Sequence, residues 1–314
     1  MCNAHSQTSE NTLSHPDPQA LYRRKFLQYL GVGGVAAAGG SLASCATNPE
    51  TGRRQFVGLA PSDAQLAQAA AQSWTAVKQQ TPTSNDPRYT SRLRTIGNRI
   101  SRGAGRGNQA WDYAVFDTDT KNAFVLPGNR VGFYKGMMDF TDNDDQIAAI
   151  MGHEVGHVAG RHAAERYSQQ VAGQLAVAGG TVLAGTQFGK NCNRSQTRTE
   201  YNKCVNSARR NTAYLQQALG LGFMLGVALP YGRRQELESD RLGVRYMAKS
   251  GYDPYQAVRL WEKMAEESSG SRGPEFLSTH PTPERRAREL SDYITAQEKL
   301  GSRGYSTLDI PEDA

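Results

Sequence analysis

Apolar and polar positions follow a helical period over much of the chain. In the first such stretch, Ser62 and Asp63 can cap a helix that continues to about Gln80. A second helix is predicted over about 87–101. The sequence therefore begins its regular structure with a pair of helices.

Shorter segments with period-two alternation follow and predict a small sheet. Positions 111–117 alternate in a strand-like way. Ala123–Leu126 and 131–134 are further candidate strands, and Pro127-Gly128-Asn129 between them is typical of a hairpin.

Helical patterns return after the sheet. One helix begins near 142–144, where short polar side chains can cap it, and continues to about Gln169. Apolar stretches rich in glycine and alanine follow at 171–185 and 218–229. Further helices then end near Gly251, begin at Asp253-Pro254 and begin at about Glu284.

The helix that starts near 142–144 contains His153-Glu154-Val155-Gly156-His157. At about 100° per residue, His153 and His157 are one turn apart, about 6 Å along the axis and about 40° around it. Both imidazoles can therefore reach one metal ion. Glu154 lies about 60° around from His157, close enough to touch a water on the metal without ligating it.

A third face of this helix has no bulky side chains. It is formed by Gly152, Gly156 and Ala159. We expect another helix to approach closely along it.

A catalytic zinc ion takes three protein ligands and keeps one position for water, so a third ligand must come from elsewhere. Glu236 and Asp240 are four residues apart and share one helical face. Glu236 would be the ligand, and Asp240 would accept the ring N–H of a ligand histidine, which we take to be His153. The alternative for this pair is a solvated helix face.

Two other histidines need an interpretation. His162 lies about 140° around a continuous helix from His157, so it cannot join the same metal and is assigned a surface or structural position. His280 precedes Pro281-Thr282-Pro283 and has three candidate roles. It could stabilise the oxyanion of a tetrahedral intermediate, ligate zinc in a resting state, or be a loop residue before a helix cap.

The N-terminal 44 residues are typical of an export signal rather than of the fold. Arg23 and Arg24 precede a short Gly/Ala-rich apolar run, which resembles a twin-arginine signal, although general secretion stays open. The segment 42–45 resembles a bacterial lipobox that leaves Cys45 lipidated. We therefore expect a lipidated tether over 45–60 and an outer-membrane anchor facing the periplasm.

Cys192 and Cys204 remain as an even pair, which in an exported protein predicts a disulfide. The apolar stretches on either side are short for membrane spans. We expect them to form a helical hairpin over the site, with the disulfide at its tip.

Composition and charge argue against one class of partner. Apolar residues make up 38% of the 314 residues, enough for a core, and the net charge of +6 is spread without a long basic run. Nucleic acid is therefore not an expected partner.

These motifs resemble a family of zinc peptidases that includes the CAAX prenyl protease, the HtpX heat-shock protease and BepA-like periplasmic lipoproteins. The matching segments are 122–128, the histidine motif, 236–243 and 280–283. The segment with the two cysteines is not part of the family pattern.

The resemblance spans about residues 110–290 and implies a zincin-like domain. With the pattern of helices and strands, we expect an α+β, mostly helical domain over 61–300, with a small sheet before the motif helix and a tail over 301–314. The resemblance also implies one Zn²⁺ held by His153, His157 and Glu236, with Glu154 as the catalytic base. Asp240 would contact a ligand histidine rather than the ion. The strand at 122–126 would hold substrate by edge pairing.

We expect a lipid-anchored endopeptidase, and the resemblance implies that its substrates are unfolded or misassembled envelope proteins. The alternative is a periplasmic chaperone or assembly factor with a plugged zinc site. Glu154 favours the enzyme, because a structural site has no use for a base.

Overall fold

The computed structural model describes residues 45–190, 192, 197–224, 228–268, 274, 276–280 and 283–301, with 222, 229–231 and 279 given by their backbone alone. The expected signal peptide, Pro281, Thr282 and the tail after Gly301 lie outside the described residues.

The segment expected to be a tether is a small hairpin attached to the domain. β1 (Cys45–Thr47) pairs antiparallel with β2 (Arg54–Phe56). Asn48 and Gln55 are buried, and their side-chain amides donate to the carbonyls of Ala159 and Gly160. These buried polar contacts hold the segment against the end of the motif helix. The sequence did not predict this packing, because the local pattern contains only turn residues.

The two predicted N-terminal helices are present. α1 (Asp63–Gln80) begins with a capping box between Ser62 and Gln65. α2 (Pro87–Gly103) is capped by Asp86, with proline in its first turn.

The predicted sheet has three strands, β3 (Asp112–Phe116), β4 (Ala123–Leu126) and β5 (Arg130–Tyr134). β4 and β5 form the expected antiparallel hairpin, and β3 pairs in parallel with β5, so the order is β3-β5-β4. Gly128 and Asn129 have φ of 81° and 60°, which the tight connection requires. β4 therefore lies at an edge of the sheet.

The helix predicted from 142–144 to about Gln169 is interrupted. After α3 (Lys135–Phe140), α4 (Asp144–Ala159) starts at the cap Asn143, and α5 (His162–Lys190) follows separately. Between α4 and α5, Arg161 has a φ of 51°, which redirects the chain. The prediction of one continuous helix was therefore wrong.

α5 packs along α6 (Arg198–Phe223) as the expected hairpin, and the structure contains the Cys192–Cys204 disulfide. No helix among the described residues is long and apolar enough to cross a membrane. Large apolar side chains are nevertheless exposed along the hairpin: Leu175, Val182, Leu183, Phe188, Tyr214, Leu219 and Leu221.

The remaining helices are α7 (Leu229–Lys249), α8 (Tyr255–Ser268), α9 (Phe276–Thr279) and α10 (Pro283–Gly301). The main hydrophobic core lies between α2, the sheet and the helices α4, α7, α8 and α10. The fold is mostly helical with a small sheet before α4, as the sequence predicts.

Candidate metal centre

The close crossing of α4 and α7 brings the candidate ligands together. A Cβ atom on Gly152 would lie 2.8 Å from the Gly243 carbonyl oxygen, and one on Gly156 would lie 2.8 Å from the Ser239 carbonyl oxygen. Distances this short exclude side chains, so glycine at these positions lets the helix backbones touch. The prediction of a close helix approach along this face is confirmed.

Four side chains at this crossing present possible ligand atoms within 4.8 Å of one another: those of His153, His157, Glu236 and His280. His153 Nε2 lies 3.0 Å from His157 Nε2 and 3.3 Å from Glu236 Oε2. Tetrahedral zinc with bonds of about 2.0–2.1 Å separates its ligand atoms by about 3.3 Å. The arrangement therefore fits a zinc ion.

Burial and neighbouring groups leave two of these ligands, His157 and Glu236, in the protonation states that zinc requires. Burial lowers the pKa of His157 well below its usual value, so the imidazole is neutral. Burial alone would raise the pKa of Glu236, but polar contacts and hydrogen bonds with the neighbouring histidines outweigh it and hold the pKa well below its usual range. Arg166 on α5 also donates to Glu236 Oε1 at 3.0 Å.

Glu154 faces the same space without joining the ligand set. Its carboxylate is buried, and Oε1 has no hydrogen-bond partner among the described residues. Burial raises its pKa to about 7. A buried carboxylate beside a metal site, with an unpaired oxygen and a pKa near neutrality, suits a group that accepts and returns a proton.

Asp240 contacts His153 on the side away from the other ligands. His153 Nδ1 lies 2.9 Å from Asp240 Oδ1, which matches the expected orienting contact. Burial alone would raise the pKa of Asp240, but the charge of Arg286 and hydrogen bonds hold it below its usual value.

Arg286 was not assigned a firm role from the sequence. It is almost completely buried, donates to both oxygens of Asp240, and stacks over the Trp261 ring at 3.5 Å. Its position only four residues into an amphipathic helix gives no sequence signal for burial.

His162 is the second residue that the sequence interpretation missed. It is buried, and its Nδ1 lies 2.7 Å from Nδ1 of His157. Its Nε2 lies 2.9 Å from Oε2 of Glu238, whose pKa is lowered to about 2 because hydrogen bonds from His162 and Arg53 and the charge of Arg53 outweigh burial. A surface position for His162 is therefore wrong, although a structural one is not.

His280 joins the ligand set rather than an exposed loop. Its Nδ1 lies 2.6 Å from Glu236 Oε2 and 3.1 Å from His153 Nε2, and its Nε2 lies 3.6 Å from Glu154 Oε1. Burial lowers its pKa to about 4, so it is neutral. Cys45, by contrast, is exposed.

The family model for Peptidase family M48 matches residues 87–294. Among curated proteins, mitochondrial metalloendopeptidase OMA1 of Schizosaccharomyces pombe is 28% identical over 207 residues, covering 66% of this chain and 52% of the relative. The beta-barrel assembly-enhancing protease of Escherichia coli K12 is 29% identical over 209 residues, covering 65% and 39%.

OMA1 of Saccharomyces cerevisiae is 30% identical over 191 residues, covering 59% of this chain and 47% of the relative. The chain thus spans about half or less of the length of these curated relatives. The family match extends over well more than half of the chain and includes all four candidate ligands and Glu154. The chain belongs to peptidase family M48.

Proposed function

We propose that the protein is a zinc-dependent endopeptidase. The observation that carries this proposal is the convergence of His153, His157 and Glu236, beside the buried carboxylate of Glu154, whose Oε1 has no hydrogen-bond partner in the described part of the chain. Three ligands and an adjacent base are the set that hydrolytic zinc sites use.

In the proposed mechanism, His153, His157 and Glu236 hold the ion. Bound there, zinc would polarise the scissile carbonyl and lower the pKa of its water to about 7. Glu154 accepts the proton of the attacking water and delivers it to the leaving amine, which its pKa of about 7 allows in both directions. Asp240 keeps the His153 ring in the tautomer whose Nε2 faces the other ligands.

His280 has two roles in this proposal. Its Nδ1 lies 3.1 Å from His153 Nε2 and 2.6 Å from Glu236 Oε2, close enough for the three atoms to bind one ion. This supports His280 as a fourth zinc ligand in a resting state. When substrate displaces it, the same neutral imidazole can donate a hydrogen bond to the oxyanion.

The substrates we propose are unfolded or misassembled envelope proteins. β4 lies at the sheet edge, where an extended segment can add through backbone hydrogen bonds with loose sequence preference. The name of the Escherichia coli relative links that protein to β-barrel assembly. Together with the lipobox at 42–45, this supports a periplasmic enzyme anchored through Cys45, most simply at the outer membrane.

A second candidate is a chaperone or assembly factor whose zinc site is plugged. It is favoured by one observation, the complete burial of the site with His280 inside the ligand set. Such a protein would hold zinc and bind unfolded chains without cleaving them.

Cleavage of casein and of an unfolded outer-membrane β-barrel protein by zinc-loaded chain separates the two candidates. If the protein is an endopeptidase, wild type should produce fragments and Glu154→Gln should produce none. The two proteins should contain the same amount of zinc. Glu262→Gln, on an exposed position of α8, is the matched control and should cleave normally. Binding of the unfolded chain without cleavage, in wild type with and without reductant, would establish the second candidate instead.

A further inference from the structure

The N-terminal hairpin lies outside the residues that match the family model, yet a series of contacts connects it to the metal centre. Arg53, just before β2, is about three-quarters buried, with a side-chain exposure of 24%. Its guanidinium donates from Nη1 and Nη2 to the two oxygens of Glu165 at 2.9 and 2.7 Å. Its Nε donates to Glu238 Oε2 at 2.8 Å.

These contacts continue to a zinc ligand. Glu238 Oε2 also lies 2.9 Å from His162 Nε2, and His162 Nδ1 lies 2.7 Å from His157 Nδ1. Arg53, Glu238, His162 and His157 therefore form one unbroken series of hydrogen-bonded groups, from the hairpin to the ligand.

Zinc on Nε2 of His157 would set the proton positions along this series. His157 directs Nε2 toward the other ligands, at 3.0 Å from His153 Nε2, so with zinc bound there Nδ1 carries its proton. That N–H donates to Nδ1 of His162, which also lies 3.3 Å from Ser239 Oγ, and His162 is then protonated at Nε2 and donates to Glu238. Arg53, which can only donate, completes the second contact to the carboxylate. No change of charge is needed along the series.

The other histidine ligand has a matching arrangement. His153 contacts Asp240, and Asp240 accepts two hydrogen bonds from Arg286. Both carboxylates come from α7, two residues apart, and both are buried. An arginine from a distant segment fixes each of them. One carboxylate contacts His153 directly, and the other reaches His157 through His162.

We propose that the N-terminal hairpin contributes to zinc binding. Its Arg53 positions the ligand His157 through Glu238 and His162. The proposal rests on the proposed function only in requiring zinc at His157. Groups behind metal ligands typically contribute 10–100-fold to metal affinity when they are removed. The hairpin would thereby make retention of the ion depend on the segment next to Cys45.

The experiment measures the zinc dissociation constant by competition with a chromogenic chelator, using full-length chain in the Glu154→Gln background so that proteolysis plays no part. Arg53→Met should weaken zinc binding by about 10-fold. Arg54→Met is the matched control, because Arg54 is the neighbouring arginine of the same hairpin and is exposed. It should bind zinc as the parent does.

A double-mutant cycle separates positioning from a general loss of stability. Arg53→Met should have little further effect in a Glu238→Gln or His162→Gln background, because the series is already broken. The visible spectrum of the cobalt-substituted protein should change in Arg53→Met and not in Arg54→Met, since it reports the ligand geometry directly.

Three results would overturn the proposal. Unchanged zinc affinity in Arg53→Met refutes it while leaving the peptidase assignment intact. Additive losses across the cycle, with an unchanged cobalt spectrum, show a merely structural hairpin. A parent protein that binds no zinc refutes this proposal and the proposed function together.

Discussion

Arg286 donates to both carboxylate oxygens of Asp240, from Nη2 to Oδ1 at 2.5 Å and from Nε to Oδ2 at 2.7 Å. Asp240 Oδ1 in turn lies 2.9 Å from His153 Nδ1. The buried positive charge of Arg286 is therefore neutralised by the same group that orients a candidate zinc ligand, so fold stability and metal binding share one carboxylate.

We expect Asp240→Asn to weaken both properties. The amide keeps the size of the side chain but removes the closest counter-charge of Arg286, which keeps only its ion pair with Glu236, at 3.4 Å, among the described contacts. Breaking a buried ion pair typically costs about 3–5 kcal/mol, and we expect the unfolding free energy to fall by no more than that. Loss of the carboxylate behind His153 should weaken zinc binding by about 10–100-fold. Urea unfolding and chelator competition measure the two effects.

Asp292→Asn is the control for this change, because Asp292 is an exposed aspartate on α10. It should leave both the unfolding free energy and zinc affinity unchanged. Wild-type stability in Asp240→Asn would refute this prediction, because it would mean that the ion pair with Glu236 alone compensates the charge of Arg286.

Removal of the metal should destabilise the fold as well as stop cleavage. Without an ion, Glu236 keeps its buried charge among His153, His157 and His280, with Arg166 as its main cationic partner. Because a ligand that binds only the folded state adds stability by mass action, excess chelator should lower the melting temperature. Added zinc should restore both the melting temperature and activity.

Glu236→Gln provides the control for chelation. Its melting temperature should respond much less to chelator, because it has lost a charged ligand. A wild-type melting temperature that is indifferent to chelator and to zinc would contradict a zinc site at this position.

Much of the site could be predicted because helix geometry relates residues a few positions apart. The roles of His153, Glu154 and His157 follow from one turn of helix, and Gly152 and Gly156 predicted the close approach of a second helix. The spacing of Glu236 and Asp240 then supplied a third ligand and an orienting carboxylate.

His162 was misplaced because that geometry was extended across a helix end. A continuous helix turns His162 about 140° away from His157. In the structure, the chain reverses at Arg161, with a φ of 51°, and His162 points back to the ligand. Gly160 was the available signal, since glycine near the last turn commonly ends a helix. The contacts of Arg53 depend on tertiary packing, so no local pattern could have predicted them.

Substrate binding at β4 should depend on the peptide backbone more than on side chains. β4 pairs with β5 on one side, and an added strand would bind through its own N–H and C=O groups on the other. N-methylation of one amide facing β4 in a cleavable peptide should therefore raise KM several-fold with a small effect on kcat. Scanning N-methyl positions along the peptide measures this.

Peptides with conservative side-chain changes at the same positions are the control, and their KM should vary little. An opposite pattern, with tolerance of every N-methyl group and strong dependence on side chains, would place substrate away from the sheet edge.

Reduction of Cys192–Cys204 should loosen the hairpin without changing the chemistry of the site. The disulfide closes a loop with a sequence separation of 12, which by chain entropy contributes about 3 kcal/mol to local stability. Arg166, which contacts Glu236, lies 24 residues before Lys190 at the end of α5, which is about 36 Å at 1.5 Å per residue. We therefore expect reductant to change cleavage of large unfolded proteins and to leave cleavage of a short peptide unaffected. Hydrogen exchange of α5 and α6 should increase in parallel.

The control is the Cys192→Ser/Cys204→Ser variant, which should behave like reduced wild type and show no response to reductant. Equal cleavage rates on unfolded proteins under oxidising and reducing conditions would exclude a role for the hairpin in admitting substrate.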